Sequence, residues 1–102
     1  MGEAVSISDA RRDACAFVTG GSSGIGLAVA LRLAKTHSRI GLFARDPQGL
    51  AQAADRIRRE NPGTDVRGFV LDVADQDAVC TAIAAAVAQL GAPRRLVLSA
   101  GM

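Results

Sequence analysis

The sequence has no tyrosine and no tryptophan, only three phenylalanines, and a single histidine and a single lysine, His37 and Lys35. A phenol donor is therefore unavailable within these residues. His37 has no serine, thiol or carboxylate at a useful spacing, so a cap or surface role at a helix end is expected for it rather than catalysis. Twelve basic residues are scattered among ten acidic ones for a net charge of +2, without the basic stripe and stacking rings of a nucleic-acid surface. No nucleic-acid partner is expected. Cys15 and Cys80 come without a Cys-x-x-Cys pair or a His cluster, which excludes a metal site and a disulfide framework and leaves two reduced, structural thiols of a cytoplasmic type of protein. Arg32, Arg39 and Arg45 interrupt every run that could approach the roughly 20 apolar residues of a bilayer span, so no transmembrane segment is expected. Residues 1–13 carry Glu3, Asp9, Arg11, Arg12 and Asp13 with no continuous apolar stretch. They lack the order of a secretory signal and are expected to form a flexible, solvated leader.

What the chain does have is apolar residues, 49% of the total, distributed in short runs between amphipathic stretches. Ala14 to Thr19 is a strand buried on both faces, closed by Gly20 and Gly21. From Gly24 to about His37 the residues Ile25, Ala28, Val29 and Leu33 recur at three- and four-residue steps, the stripe of a helix. Ile40 to Ala44 is a second strand, followed by Asp46 as a helix cap and Pro47 at the first helical position. Leu50, Ala53, Ala54 and Ile57 form the inward face of the second helix, which Asn61-Pro62-Gly63 ends near Glu60 through a left-handed residue and a proline. Val66 to Val73 is a third strand, weakened by Gly68. Asp75 caps a third helix with the stripe Ala78, Val79, Ala82, Ile83, Ala86, Val87, Leu90 and with Gly91 just beyond. Leu96 to Gly101 is a fourth apolar run. Four strands alternating with three helices over short links require parallel pairing through right-handed crossovers, hence an α/β sheet covered on both faces.

Chemistry is concentrated at the first strand-to-helix junction, Thr19-Gly20-Gly21-Ser22-Ser23-Gly24-Ile25-Gly26. A phosphate bound there needs a tight turn that points backbone N–H groups outward at a helix start, and no Cβ where it crosses the backbone. Gly20 can supply the turn, Gly24 the close approach, Gly26 the packing of helix on strand, and Ser22 and Ser23 hydroxyl donors. At the tip of the second strand an acid would accept hydrogen bonds from an adenosine ribose, whereas an arginine would pair with a 2′-phosphate. The sequence there reads Ala44-Arg45-Asp46, with Asp46 open to two roles, ribose acceptor or helix cap. Asp72, ending the third strand, is open to an adenine-amino contact or to a turn. Asp75 and Asp77 are first-turn charges that suit the helix dipole.

These residues resemble the short-chain dehydrogenases/reductases. The family's Thr-Gly-x-x-x-Gly-x-Gly signature matches Thr19 to Gly26, its Asp-Val pair matches Asp72 and Val73, and the end of its Asn-Asn-Ala-Gly motif matches Ala100 and Gly101, with Leu98 and Ser99 where the asparagines stand. The resemblance implies the N-terminal part of a Rossmann doubly wound parallel sheet over residues 14–102. It also implies NADP(H), because Ala44 replaces the acid of NAD-preferring members and Arg45 stands at the next position, basic in many NADP-preferring ones. It implies cofactor contacts from Gly20, Ser22, Ser23, Gly24, Ile25, Gly26, Arg45, Asp72, Val73, Ala100 and Gly101. It further implies hydride transfer between a small-molecule carbonyl and an alcohol, in a full-length form that is a homo-oligomer. The family's Tyr, Lys and Ser lie beyond the fourth strand, so the catalytic half is expected to be absent from this chain and no catalytic residue is assigned. The alternative is a stand-alone nucleotide-binding or partner-pairing module without catalysis. Ala44-Arg45-Asp46 and the final Ala-Gly-Met also resemble a lipid-directed branch, the 3-ketosphinganine reductases, from which Gly49 departs.

Overall fold

A computed structural model describes residues 14–20, 24–72 and 74–98. The strands are β1 (Cys15–Thr19), β2 (Arg39–Ala44), β3 (Asp65–Val70) and β4 (Arg95–Leu98), and the helices between them are α1 (Gly24–Leu33), α2 (Pro47–Glu60) and α3 (Gln76–Leu90). All neighbouring strands pair in parallel, in the order β3-β2-β1-β4. This is the α/β sheet that the alternation of short apolar runs and helices requires.

Alternation along the strands divides the core into two layers. Ala16 and Val18 of β1, Ile40 and Leu42 of β2, and Val66 of β3 meet Ala30 and Ala34 at one helix and Leu50, Ala53, Ala54 and Ile57 of α2. Cys15, Phe17 and Phe43 face the other way, against Ala86 and Leu90 of α3. Phe43 links the rings of this second layer, with centroids 5.3 Å from Phe17 in an edge-on contact and 5.2 Å from Phe69 in a stack.

Helix ends follow their caps. The Asp46 carboxylate accepts from the Gln48 N–H at 3.1 Å with Pro47 at the start of α2, and the Asp75 carboxylate accepts from the Ala78 N–H at 3.1 Å at the start of α3. α2 stops at Glu60 as expected, but not through a left-handed residue. Asn61 has φ −139°, and its backbone N–H and its side-chain amide both donate to the Ile57 carbonyl, at 2.9 and 3.3 Å. α1 ends at Leu33 rather than near His37. The Lys35 and Thr36 N–H groups donate to carbonyls three residues back, tightening the last turn, and the His37 N–H closes it on Leu33 at 2.8 Å.

The stripe of α1 is covered differently from its periodicity. In α1 the buried residues are Gly26 and Ala30, continued by Ala34, while Ile25 and Ala28 are exposed. Small residues let this helix lie close on the sheet, and Leu27, Leu31 and Leu33 pack half-buried against the same core beside them. In α3 the expected stripe does face the core, with Ala86 and Leu90 buried and Ala78, Val79, Ala82 and Ile83 packed half-buried against the same layer, and only Val87 departs from it by being exposed. β3 is shorter than the run Val66 to Val73, ending at Val70, although the Leu71 N–H still donates to the Ala44 carbonyl at 2.8 Å.

Gly68 is fixed by contact. A Cβ there would lie 2.7 Å from Cγ of Leu50, the branch point of a buried side chain, so α2 can approach β3 only where the strand has no side chain. Gly68→Ala is expected to lower the folding free energy by about 1–3 kcal/mol through overpacking, read from denaturant midpoints at unchanged m.

Burial pushes the Cys15 thiol above its ordinary value of 9.0, with the Arg39 charge opposing and Asp65 reinforcing the shift. The unfolded chain therefore releases this proton first, and folding stability falls as pH rises past 9.0. Urea unfolding at about pH 7.5 and about pH 10 should show that fall, and Cys15→Ala should flatten it.

Candidate functional site

From β1 the chain crosses to β2 and β3 on one side, then returns through α3 to place β4 on the other side of β1. The crossovers on the two sides of β1 thus diverge at the carboxyl ends of β1 and β4, which leaves a crevice there in open sheets of this type. Thr19 ends β1 there and is buried, its hydroxyl donating to the Val97 carbonyl at 3.3 Å. The periodicity of the sequence gave no sign of this cross-strand bond, because its partner lies 78 residues away.

Gly20 follows β1 with φ 69°, and its N–H donates to the Phe43 carbonyl at 2.7 Å, which turns the chain out of the sheet beside β2. Gly24 opens α1 with φ 58°, in the left-handed region, and a Cβ built on it would meet nothing within 4 Å. The first turn of the helix is therefore open to a ligand on the side where a side chain would stand. Gly26, two residues on, is buried in the α1–sheet contact. Ile25, expected on the inward stripe, is instead 71% exposed in the first turn of α1, outside the core.

Arg45 follows β2 directly and is exposed, and its guanidinium meets no carboxylate among the described residues. Asp46 beside it is engaged as the α2 cap, so of its two roles the structure displays the cap. Asp72 lies past the end of β3 and is exposed. One of its carboxylate oxygens accepts from the Ala74 N–H at 2.9 Å, and its backbone carbonyl accepts from the Asp75 N–H at 3.0 Å, so it also forms the turn into α3.

Gly20, Gly24, Ile25, Gly26, Arg45 and Asp72 thus border one end of the sheet, at the carboxyl ends of the strands and the start of α1. Ser22, Ser23, Val73, Ala100 and Gly101 lie outside the described residues. His37 belongs to the opposite end, before β2. It is a cap, as expected, but a buried one, with Nδ1 3.1 Å from the Leu33 carbonyl oxygen and 2.9 Å from the Thr36 hydroxyl. Among the described residues no group of three or more His, Cys, Asp or Glu could hold a metal, and no helix is long and apolar enough to cross a membrane.

A family profile described as short chain dehydrogenase matches residues 14–102. The chain is 49% identical over 86 residues to the granaticin polyketide synthase putative ketoacyl reductase 1 of Streptomyces violaceoruber, an alignment covering 84% of this chain and 31% of that protein. It is 47% identical over 68 residues to a 3-dehydrosphinganine reductase of Arabidopsis thaliana, covering 67% of this chain and 21% of that one. The fold superposes with a TM-score of 0.84 on an NADPH-bound short chain oxidoreductase of Pseudomonas aeruginosa PAO1 with an atypical catalytic center, at 37% identity over 89% of this chain and 35% of that one. The chain therefore spans between a fifth and about a third of the proteins it matches.

Asp46→Ala should lower folding stability by about 1 kcal/mol, the usual loss of a helix cap. Dinucleotide affinity measured on the folded variant should stay within about twofold, since a cap removed from α2 takes no ligand contact with it. A large loss of affinity at unchanged stability would instead make Asp46 the ribose acceptor.

Proposed function

The chain belongs to the short chain dehydrogenase family, and from that premise we propose that residues 14–102 hold NADP(H) across the crevice, within an oxidoreductase that interconverts a carbonyl and an alcohol. The observation that carries the cofactor choice is the contrast at the tip of β2. Arg45 is exposed and meets no carboxylate among the described residues, while the adjacent acid, Asp46, is committed to capping α2. An exposed guanidinium there favours a 2′-phosphate through charge-assisted, bidentate hydrogen bonds, and the ordinary competitor of that phosphate, a free carboxylate, is otherwise occupied.

The glycine loop fits the pyrophosphate on physical grounds. Gly24 leaves open space at the start of the ten-residue helix α1, whose first N–H groups have no intrahelical acceptors and whose dipole favours an anion. Ser22 and Ser23 would add hydroxyl donors, and Gly20 and Gly26 would set the turn and the seating of the helix. Ile25 would cover an apolar part of the ligand. The oxygen of Asp72 that does not accept from Ala74 would take the adenine amino group, with the Val73 backbone against the ring, and Ala100 and Gly101 would admit a ribose close to the backbone.

When bound, the reduced nicotinamide supplies a hydride to the carbonyl carbon. The carbonyl oxygen then needs a proton from a positioned donor. This chain has no tyrosine, and Lys35, its only lysine, lies just past the end of α1, at the opposite end of that helix from the glycine loop. We therefore assign the proton donor to the part of the relatives that this chain does not span, and assign to residues 14–102 the binding and orientation of the cofactor. The two relatives named above are reductases, which supports the reductive direction. The 47% identity to a 3-dehydrosphinganine reductase favours, as a second reading, a long-chain lipid ketone as substrate.

Fluorescence titration of the natural protein with NADPH and NADH tests the assignment. NADPH should bind more tightly, and Arg45→Ala should weaken it by roughly 10- to 100-fold, the equivalent of a lost charge-assisted pair, while NADH changes by less than about twofold. Tighter binding of NADH, with Arg45→Ala leaving both unchanged, would overturn it.

A further inference from the structure

β3 stands at the end of the strand order and has a neighbour on one side only among the described residues. The Asp65 N–H donates to the Ser38 carbonyl and the Leu71 N–H to the Ala44 carbonyl, both at 2.8 Å. In a parallel ladder the N–H and C=O of one residue point to the same side, and successive residues alternate. Asp65, Arg67 and Phe69 therefore bond inward to β2, and Val66, Gly68 and Val70 turn their backbone groups to the outside.

One of these outward groups is already taken. Arg58 of α2 reaches across the edge, and its Nη2 donates to the Val66 carbonyl at 2.5 Å, while its Nη1 donates to Asp55 at 3.1 Å. The rest of the outer edge, at Gly68 and Val70, has no protein partner among the described residues. Beside it lies a groove lined by Pro47, Leu50, Ala54, Arg58, Gly68 and Val70, with Val70 60% exposed.

The open edge complements itself. Val66, Gly68 and Val70 are symmetric about Gly68, so two copies related by a two-fold axis at Gly68 would pair antiparallel, Val66 against Val70 of the partner subunit and Gly68 against Gly68 of the partner subunit. Each outward N–H then finds an outward C=O. Arg67 would face Phe69 of the partner subunit, a cation against a ring rather than against a like charge. In that ladder the Val66 carbonyl of each copy is needed by the other, and it is the one acceptor that Arg58 occupies.

We propose that the outer edge of β3 is a self-pairing surface for a second copy of this chain, and that Arg58, anchored by Asp55, holds it closed. A long side chain lying over an edge strand and occupying its carbonyl is a device against edge-to-edge association. Its closing contact is separate from the glycine loop, because Asp55 and Arg58 lie in the last two turns of α2 and the carbonyl they cover is that of Val66, near the start of β3.

Sedimentation velocity over a range of concentrations, with hydrogen exchange at the Gly68 and Val70 amides, tests it on the natural protein. Arg58→Ala should add a self-association at least about tenfold tighter than in the parent, since two hydrogen bonds are released to the ladder, and should slow exchange at Gly68 as concentration rises. Arg58→Lys, which keeps a donor, should restore most of the parent behaviour. Adding Val70→Pro to Arg58→Ala removes an outward N–H and should abolish the new association. If Arg58→Ala does not fold, Asp55→Ala, which frees Arg58 from its anchor, should show the same association more weakly. Unchanged sedimentation in whichever of these two variants folds, association without protection of Gly68, or association that survives Val70→Pro would each overturn the proposal.

Discussion

The parallel hydrogen bonding of β1 on both of its edges is the constraint from which the remaining structure follows. β1 takes β2 along one side and β4 along the other, and every one of its residues is buried. A strand in that position must be apolar on both faces and must keep its side chains within the space its neighbours leave. The register sets Phe17 opposite Gly41, and a Cβ on Gly41 would lie 2.9 Å from the Phe17 ring. The large residue of the central strand is thus accommodated by an absent side chain on the next, and Leu90 of α3 closes over both.

At the carboxyl end of the sheet the acidic side chains serve the backbone first. Asp46, Asp72 and Asp75 each accept from a main-chain N–H two or three residues on, which fixes the starts of α2 and α3 and the turn between β3 and α3. Their charge is drawn toward those N–H groups, while Arg45 is left facing outward. Each acid keeps its charge but has a carboxylate oxygen engaged, which leaves the exposed Arg45 guanidinium as the group at the tip of β2 open to the phosphate proposed there.

Much of this was legible in the sequence because it rests on local signals. Asp46-Pro47 and Asp75 marked two helix starts, Glu60 and Leu90 two helix ends, and the short apolar runs four strands and their parallel pairing. The departures have separate physical causes. The inner face of α1 centres on Gly26, Ala30 and Ala34, with Leu27, Leu31 and Leu33 packed beside them, a stripe offset by one or two positions from Ile25, Ala28 and Val29, so Ile25 stands 71% exposed in the first turn. Asn61 ends α2 by spending two donors on one carbonyl rather than by a left-handed turn, a choice that depends on side-chain reach and not on residue type. The bond from Thr19 to Val97 and the bond from Arg58 to Val66 are tertiary, joining elements that no periodicity connects. In the site, the glycines and Arg45 could be found from spacing, but whether Asp46 and Asp72 are occupied by the backbone could not.

The strand order also bears on how the chain assembles. In the ladder Cys15 pairs with Arg39, and Arg39 with Asp65, closures of 24 and 26 residues (39 − 15 and 65 − 39), each spanning one helix and its turns. Ala16 pairs with Arg95, a closure of 79 residues (95 − 16), whose chain entropy exceeds the shorter ones by roughly 1 kcal/mol if it forms first. Once β1, β2 and β3 are joined, the segment still to be closed runs only from Val70 to Arg95. The least costly route is therefore the order in which a ribosome delivers these strands, and the crevice, which needs β4 beside β1, comes into existence only after β1, β2 and β3 have joined.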